Sequence, residues 1–127
     1  MPTPDDLRAF AARYADTVAS RDADAYASLF APDAVQRDPA SSPPNVGRDA
    51  VRAFFAATVG ASAGTTFEIR ELHTCGDAVA LAFTVTVLGE DGGLRIEGVE
   101  VFELDADGLI GRATAWWDGT DVVPVAN

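Results

Sequence analysis

Residues 78–104, AVALAFTVTVLGEDGGLRIEGVEVFEL, contain the pattern that decides the fold. Two long runs rich in apolar and β-branched residues, Ala78–Leu88 and Leu94–Leu104, flank the glycine-rich segment Gly89–Gly93. Two such runs on either side of a short turn with Gly and Asp are typical of an antiparallel hairpin.

The hairpin extends in both directions into a meander. The strand candidate Thr65–Thr74 precedes it across the turn Cys75–Asp77, and Leu109–Asp118 follows it across the turn Asp105–Gly108. Because short turns join strands that are neighbours in space, we expect four consecutive antiparallel strands in the second half of the chain.

The first half of the chain is predicted to be mainly helical. Leu7, Phe10, Tyr14 and Val18 recur at helical spacing, and Thr3 can cap the helix that carries them. The other expected segments are a helix from about Ala23 to Phe30, an extended run from Ala34 to Asp38, a loop over residues 40–45 and a helix that starts near Gly47–Asp49. Helices followed by a meander predict an α+β fold, in which a curved antiparallel sheet wraps around helices and forms a cone-shaped pocket.

Composition limits both the domain count and the chemistry. A chain of 127 residues, 48% of them hydrophobic, predicts one domain over residues 1–127. Nine basic and 20 acidic residues give a net charge of −11, which repels the phosphate backbone of nucleic acids. All nine basic residues are Arg, and one His and one Cys (His73 and Cys75) cannot build a His/Cys metal site. We therefore expect chemistry on carboxyl and hydroxyl groups, with no metal, no lysine Schiff base and no nucleic-acid partner.

The sequence predicts neither export nor membrane insertion. Residues Met1–Asp6 are acidic and Pro-rich and lack the basic and apolar regions of a signal peptide. The longest apolar-dominated stretch, Ala78–Leu88, is far shorter than the roughly 20 residues of a spanning helix. The unpaired Cys75 suits a reducing compartment, so we expect a cytoplasmic protein with no membrane partner.

Glu100 is an acidic residue on an apolar strand face. Side chains alternate between the two faces of a strand, so Glu100 shares its face with Ile96, Phe102 and Leu104. A carboxyl group there either pairs with a partner or takes a raised pKa and stays neutral, in which form it donates a hydrogen bond. An edge position with the carboxyl group in water, or an Arg partner, is the alternative that strand alternation leaves open.

Asp38 and Tyr14 are the other candidate polar residues. Asp38 would share a strand face with Ala34 and Gln36, although an Asp-Pro pair also starts turns. Tyr14 lies on the apolar face of the first helix and is a core aromatic by default, yet its buried hydroxyl group needs a partner, which a ligand oxygen could be.

The order of these segments resembles the nuclear transport factor 2-like superfamily, and most of all its steroid Δ5-isomerases, or ketosteroid isomerases. The residues that carry the resemblance are Phe30–Ala34, Asp38–Pro39, Gly47–Phe55, Asp105–Ile110 and Ala115–Trp117, within about residues 4 to 120. The resemblance implies the cone-shaped fold described above. The same fold also hosts dehydratases, epoxide hydrolases, polyketide cyclases and binding proteins.

The resemblance also implies roles for the three polar residues. Tyr14 matches the tyrosine of the family's oxyanion hole, Asp38 matches its general base, and Glu100 matches the aspartic acid that stays protonated. Two positions depart from the family. Glu100 stands in place of an Asp, which lengthens the acid by one methylene. Phe55 stands in place of a tyrosine that hydrogen-bonds to the catalytic one in many members, so we expect Tyr14 to lose that support.

These roles predict a proton-transfer isomerase for a flat, apolar ketone of steroid type, with no cofactor. Asp38 would move a proton from the α to the γ carbon while Tyr14 and Glu100 donate hydrogen bonds to the dienolate oxygen. The expected apolar wall consists of Val18, Phe54, Phe83, Phe102 and Trp117. A hydrolase or cyclase acting on epoxides or polyketide-like substrates, and a non-catalytic small-molecule-binding protein, are the alternatives.

Family resemblance further implies a homodimer. Val99, Val101 and Trp116 are apolar residues predicted on the outer face of the sheet, and this is consistent with an interface between two copies.

Overall fold

The computed structural model of the protein describes residues 2–126. The helices are α1 (Pro4–Ser20), α2 (Ala23–Ala27) and α3 (Arg48–Ala57), with 3₁₀ turns at Val59–Ala61 and Gly119–Asp121. The strands are β1 (Phe30–Arg37), β2 (Asn45–Val46), β3 (Gly64–Cys75), β4 (Ala78–Gly89), β5 (Gly92–Leu104), β6 (Ile110–Trp116) and β7 (Val122–Val125).

Helix α1 begins where the sequence predicts. The hydroxyl group of Thr3 accepts a 3.1 Å hydrogen bond from the backbone N–H of Asp6, and the Asp6 carboxylate accepts a 2.9 Å bond from the N–H of Thr3. This reciprocal capping satisfies two backbone donors that the first helical turn leaves free. The face predicted to be apolar is buried at Leu7, Phe10, Tyr14 and Val18.

The sheet confirms the predicted meander and adds to it. Strands β3, β4, β5 and β6 are consecutive antiparallel neighbours, and the order across the sheet is β2-β1-β6-β5-β4-β3. Strand β1 joins β6 in parallel, which places the end of the first half of the chain beside the end of the second. The result is the predicted α+β fold with a curved, unclosed and mostly antiparallel sheet.

Strand β5 pairs with β4 along its length and changes its partner on the other side. Its C-terminal part pairs with β6 from Val99 to Leu104, whereas its N-terminal part pairs with β7 from Gly93 to Ile96. Strand β7 was not predicted, since Val122–Val125 is short and contains a proline that suits only an edge strand.

Other boundaries in the first half of the chain also differ from the sequence prediction. The extended run predicted from Ala34 to Asp38 is strand β1, which begins earlier, at Phe30, and ends at Arg37. The second helix ends at Ala27 rather than near Phe30, because Phe30 already pairs with Ile110 in the sheet. The segment predicted as a loop ends in the two-residue strand β2, in which Asn45 lies opposite Gln36 of β1.

The core lies between the helices and the inner face of the sheet. The rings of Phe10 and Tyr14 from α1 contact the ring of Phe102 on β5, with centroids 5.6 and 4.5 Å apart. Helix α1 therefore covers the end of the sheet where Phe102 lies and leaves space beyond Tyr14. No helix within residues 2–126 is long and apolar enough to cross a membrane.

Candidate active site

A cavity of about 500 Å³ lies between the three helices and the concave sheet. This volume falls in the range of about 300–1,000 Å³ that is typical of small-molecule sites. Its wall is mostly apolar, and the residues that bring hydroxyl or carboxyl groups to it are Tyr14, Tyr26, Asp38, Thr58 and Glu100. The Thr58 hydroxyl group donates to the backbone oxygen of Phe54 at 2.8 Å. The three residues predicted from the sequence as the polar site thus line one cavity.

Glu100 is buried in the middle of β5, with 3% of its surface exposed. Its cross-strand neighbours are Leu81 on β4 and Ala115 on β6, so the strands provide no charged partner. None of the ion pairs within residues 2–126 involves Glu100, which removes the alternative of an Arg partner. Burial therefore raises the pKa of Glu100 well above its ordinary value, the negative charge of Asp38 adds to this, and the Tyr14 hydroxyl group offsets part of it.

Asp38 follows the last residue of β1 and precedes Pro39 across a cis peptide bond. Its Oδ1 accepts a 2.7 Å hydrogen bond from the indole Nε1–H of Trp117, which follows the last residue of β6. Burial raises the pKa of Asp38, whereas the Trp117 hydrogen bond stabilises the carboxylate and lowers that pKa.

Burial thus raises the pKa values of both carboxyl groups, but to different extents. The pKa of Glu100 is raised further than that of Asp38, because Glu100 is more deeply buried and lacks the indole donor that Asp38 has. When one carboxyl group of such a pair carries a proton and the other a charge, the proton resides on Glu100 and the charge on Asp38. The cavity therefore offers a base and a neutral hydrogen-bond donor.

Tyr14 supplies a second neutral donor. Its side chain is 3% exposed, and burial raises the pKa of its hydroxyl group well above the ordinary value. The ring is held in place by Phe102, with centroids 4.5 Å apart, and by Phe67 in an edge contact at 5.5 Å.

The expectation that Phe55 deprives Tyr14 of support is wrong, because Tyr26 provides it. The hydroxyl groups of Tyr14 and Tyr26 are 3.1 Å apart, and Phe55 stacks on the ring of Tyr26 with centroids 4.0 Å apart. The support thus comes from α2, on a tyrosine that the sequence analysis did not single out.

Two further polar residues extend this hydrogen-bonded chain. Gln36 donates from Nε2 to the Tyr26 hydroxyl oxygen at 3.0 Å, and Asn45 donates from Nδ2 to Oε1 of Gln36 at 3.0 Å. Gln36 is 1% exposed, and the sequence does hold a signal for it, since a polar residue that shares a strand face with Ala34 faces the core.

Four of the five predicted wall residues line the cavity. Val18, Phe54, Phe83 and Trp117 are on its surface, whereas Phe102 is not. Phe102 is completely buried behind Tyr14, because helix α1 packs directly over that part of β5. The other apolar side chains of the wall were not predicted as part of it, and they are Phe55, Val59, Phe67, Val85, Val87, Leu94 and Ile96.

Comparisons with known proteins agree with this architecture. Residues 11–113 match the family model of the SnoaL-like domain. Among curated proteins, the Steroid Delta-isomerase of Nocardioides simplex is 35% identical over 118 residues, which span 93% of this chain and 94% of that protein.

Solved structures give the same picture of the fold. The epoxide hydrolase/cyclase-like enzyme SalBIII, which has a role in pyran ring formation in the polyether salinomycin, superposes with a TM-score of 0.88 at 27% identity, covering 98% of this chain and 99% of that one. RV0760c from Mycobacterium tuberculosis superposes with a TM-score of 0.87 at 20% identity, covering 98% of both chains. The chain therefore belongs to the SnoaL-like domain family, with the nuclear transport factor 2-like fold.

Proposed function

We propose that the protein is a cofactor-independent isomerase that shifts a carbon–carbon double bond from the Δ5 to the Δ4 position of a flat, apolar ketone of steroid type. The observation that carries the proposal is the pair of carboxyl groups in one apolar cavity, of which Glu100 has the more strongly raised pKa and Asp38 has an indole donor that stabilises its charged form. Together with Tyr14, they provide one base and two hydrogen-bond donors.

In this mechanism Asp38 is the base. Its carboxylate takes a proton from the carbon between the ketone and the double bond, and the electron pair moves onto the ketone oxygen to give a dienolate. Asp38 then returns the same proton to the γ carbon, and the double bond becomes conjugated with the ketone. No atom or electron is gained or lost, so the step needs no cofactor.

Tyr14 and Glu100 stabilise the dienolate. Both are buried, and the raised pKa values of both groups keep their protons available for hydrogen bonds to the oxygen that gains charge. Donors fixed in an apolar cavity stabilise this developing charge more strongly than water does, because they need no reorganisation when the charge appears.

The wall supports an apolar, ring-shaped substrate. Phe67 and Phe83 stack on each other with centroids 5.3 Å apart, and both line the cavity from the sheet. The relative from Nocardioides simplex, which is named a Steroid Delta-isomerase, supports a steroid-like ketone as the substrate class.

An epoxide hydrolase or cyclase reaction is the second candidate function, favoured by the similarity to SalBIII over 98% of the chain. In that reaction Asp38 would activate a hydroxyl group or water, and neutral Glu100 would donate its proton to the epoxide oxygen. This candidate predicts turnover of epoxides and no isomerisation of a 3-keto-Δ5-steroid. A non-catalytic binding protein would bind such ligands without converting either.

Self-association through the outer face of the sheet is a further part of this proposal. Val99 and Trp116 are direct cross-strand neighbours, and 44% and 50% of their surfaces are exposed. An apolar pair at this place suits a twofold contact with a second copy of the chain. Sedimentation of the wild type and of Trp116→Glu tests it: the wild type sediments as a dimer and the variant as a monomer, and equal masses would argue against this interface.

An absorbance assay tests the catalytic proposal. Wild-type protein mixed with a 3-keto-Δ5-steroid forms the conjugated enone, and Asp38→Asn lowers kcat by about 10²–10⁴, the usual contribution of a general base. Asp33→Asn removes an exposed carboxyl group from the same strand and serves as the matched control. Folded wild-type protein that binds the steroid without forming the enone would refute the proposed reaction.

A further inference from the structure

Four side chains, from helices α1 and α2 and strands β1 and β2, form one row of hydrogen bonds. It runs from Asn45 to Gln36, from Gln36 to Tyr26 and from Tyr26 to Tyr14, with donor–acceptor distances of 3.0, 3.0 and 3.1 Å. Asn45 is half-buried, whereas the other three are almost completely buried. These hydrogen bonds therefore connect Asn45 at the edge of the sheet to the hydroxyl group of Tyr14 in the cavity.

The direction of each hydrogen bond follows from what each group can donate. The amide nitrogen of Asn45 is only a donor, so Gln36 presents its carbonyl oxygen to Asn45 and its NH₂ group to Tyr26. The Tyr26 oxygen accepts from Gln36, and Tyr14 is the other hydrogen-bond partner that residues 2–126 give the Tyr26 hydroxyl group. The buried proton of Tyr26 is therefore satisfied only if Tyr26 donates to the oxygen of Tyr14. In this arrangement Tyr14 accepts from Tyr26, and its single proton is left for a partner in the cavity.

We propose that Gln36 and Asn45 are positioning residues, which set the direction of the Tyr26–Tyr14 hydrogen bond so that Tyr14 donates its proton to the substrate oxygen. This proposal rests on the proposed function for the identity of that oxygen. The orientation itself is a property of the protein without substrate.

The opposite direction would be harmful to the reaction. If Tyr26 donated to residue 36, it would accept the proton of Tyr14, and Tyr14 would turn a lone pair toward the dienolate oxygen. One of the two donors would then become a repulsive group. Loss of one such donor typically lowers kcat by about 10²–10³, so a partial loss of the right orientation already has a measurable effect.

The variant Asn45→Asp should reverse the direction of these hydrogen bonds, starting from their half-buried end. A carboxylate at residue 45 can only accept, so Gln36 turns its NH₂ group toward it and its carbonyl oxygen toward Tyr26. Tyr26 then donates to Gln36, and Tyr14 donates to Tyr26. We expect kcat to fall by about tenfold with KM changed less than threefold, since the effect falls on the charge of the transition state.

Val46→Asp is the matched control. Val46 is the other residue of β2, it is 64% exposed, and it lies opposite Val35 rather than Gln36. The variant Val46→Asp therefore adds the same charge to the same short strand without contact to the row of hydrogen bonds, and we expect kcat to change by less than twofold.

Tyr26→Phe separates positioning from a merely structural role. Without the Tyr26 hydroxyl group, Tyr14 keeps its proton for the substrate whatever residue 45 carries, so kcat falls by no more than about threefold. We expect the double variant Tyr26→Phe/Asn45→Asp to be faster than Asn45→Asp alone and within twofold of Tyr26→Phe. A double variant as slow as or slower than Asn45→Asp would overturn the proposal.

A titration without substrate distinguishes failure of this proposal from failure of the proposed function. The Tyr14 hydroxyl group lowers the pKa of Glu100, so turning it toward Tyr26 raises that pKa further. Carboxyl ¹³C NMR on the protein without substrate measures the Glu100 pKa in the wild type and in Asn45→Asp and Val46→Asp. The same measurement is made on Tyr26→Phe and on the double variant Tyr26→Phe/Asn45→Asp. We expect a rise in Asn45→Asp that exceeds that in Val46→Asp and is lost in the Tyr26→Phe background.

The two readouts have distinct consequences. A Tyr26-dependent rise in the Glu100 pKa, in a protein that forms no enone, supports the orientation and refutes the isomerase. Enone formation together with a Glu100 pKa that responds equally to Asn45→Asp and Val46→Asp refutes the orientation and leaves the isomerase intact.

Discussion

The indole N–H of Trp117 donates a 2.7 Å hydrogen bond to Oδ1 of Asp38, which lies 79 residues earlier in the chain. The contact depends on the parallel pairing of β1 with β6, because that pairing places the ends of the two strands side by side. The indole holds the carboxylate in one orientation and stabilises its charged form, as a base in an apolar cavity requires.

Replacing Trp117 with Phe should shift the acid limb of the kcat/KM profile to higher pH. Loss of the indole donor leaves burial as the cause that acts on the Asp38 pKa, so that pKa rises and the charged base is present only at higher pH. We expect kcat/KM on the acid limb to fall roughly three- to tenfold. The effect is limited because Asp38 is partly exposed, and a charge-assisted hydrogen bond contributes less there than at a fully buried group.

Trp116→Phe is the control for this prediction. Trp116 is the neighbouring residue, it is half exposed, and it lies outside the cavity wall. Its replacement should leave the acid limb where it is in the wild type. An acid limb that is identical in wild type and Trp117→Phe would show that the indole does not tune the base.

Glu100→Gln should remove a pH dependence from folding stability. Because the folded pKa of Glu100 is raised, its contribution to stability is full below the unfolded pKa and is lost as the pH rises through the folded pKa. At a pH above both pKa values, the stability lost is about 1.4 kcal/mol for each unit by which the folded pKa of Glu100 exceeds the unfolded one. The free energy of unfolding of the wild type should therefore fall relative to that of Glu100→Gln as the pH rises from about 4.5.

Urea denaturation at a series of pH values measures this difference. Glu97→Gln removes an exposed carboxyl group from the same strand and controls for the loss of one acidic side chain. If wild type and Glu100→Gln lose stability in parallel over the whole range, Glu100 is not neutral in the folded protein.

Tyr14→Phe should lower kcat by about 10²–10³ and change KM only a few-fold. Its hydroxyl group donates to the oxygen that becomes charged in the transition state, whereas its ring continues to pack on Phe102 and Phe67. Steady-state kinetics with the steroid substrate separate the two constants. A rise in KM with an unchanged kcat would assign Tyr14 to ground-state binding instead.

Gly98→Ala should destabilise the fold by about 1–3 kcal/mol, because it adds a methyl group to a packed position. A Cβ atom at Gly98 would lie 2.7 Å from the backbone oxygen of Trp116 and 3.0 Å from Cζ of Phe83, so the strands or the ring must move. Gly119→Ala is the control, since no atom lies within 4 Å of its Cβ position. Equal urea midpoints for the two variants would contradict the close packing at Gly98.

The sequence predicts the fold well because its main signals are local. The hairpin turns, the helical spacing in α1 and the capping residue Thr3 are each contained within a few residues. The pairing of β1 with β6 joins segments far apart in the chain, and no local pattern encodes it. For the same reason Trp117 was expected in the cavity wall but not as a donor to Asp38.

The hydrogen-bonded support of Tyr14 shows where family resemblance misleads. The expected partner position holds Phe55, and the resemblance therefore predicted a tyrosine without support. Tyr26 occupies that role from a different helix, because Phe55 stacks on its ring and Gln36 fixes its hydroxyl group. A local sequence pattern cannot predict such a replacement, since the two tyrosines meet only when α1 and α2 pack together.

Label transfer tests the central claim most directly, namely that one carboxylate in a water-poor cavity both removes and returns the proton. The substrate is a 3-keto-Δ5-steroid that carries deuterium at the carbon between the ketone and the double bond, and the reaction runs in ordinary water. The account predicts conjugated enone with deuterium at the γ carbon, formed by the wild type and at least a hundredfold more slowly by Asp38→Asn. An enone whose γ carbon carries only solvent hydrogen would contradict it.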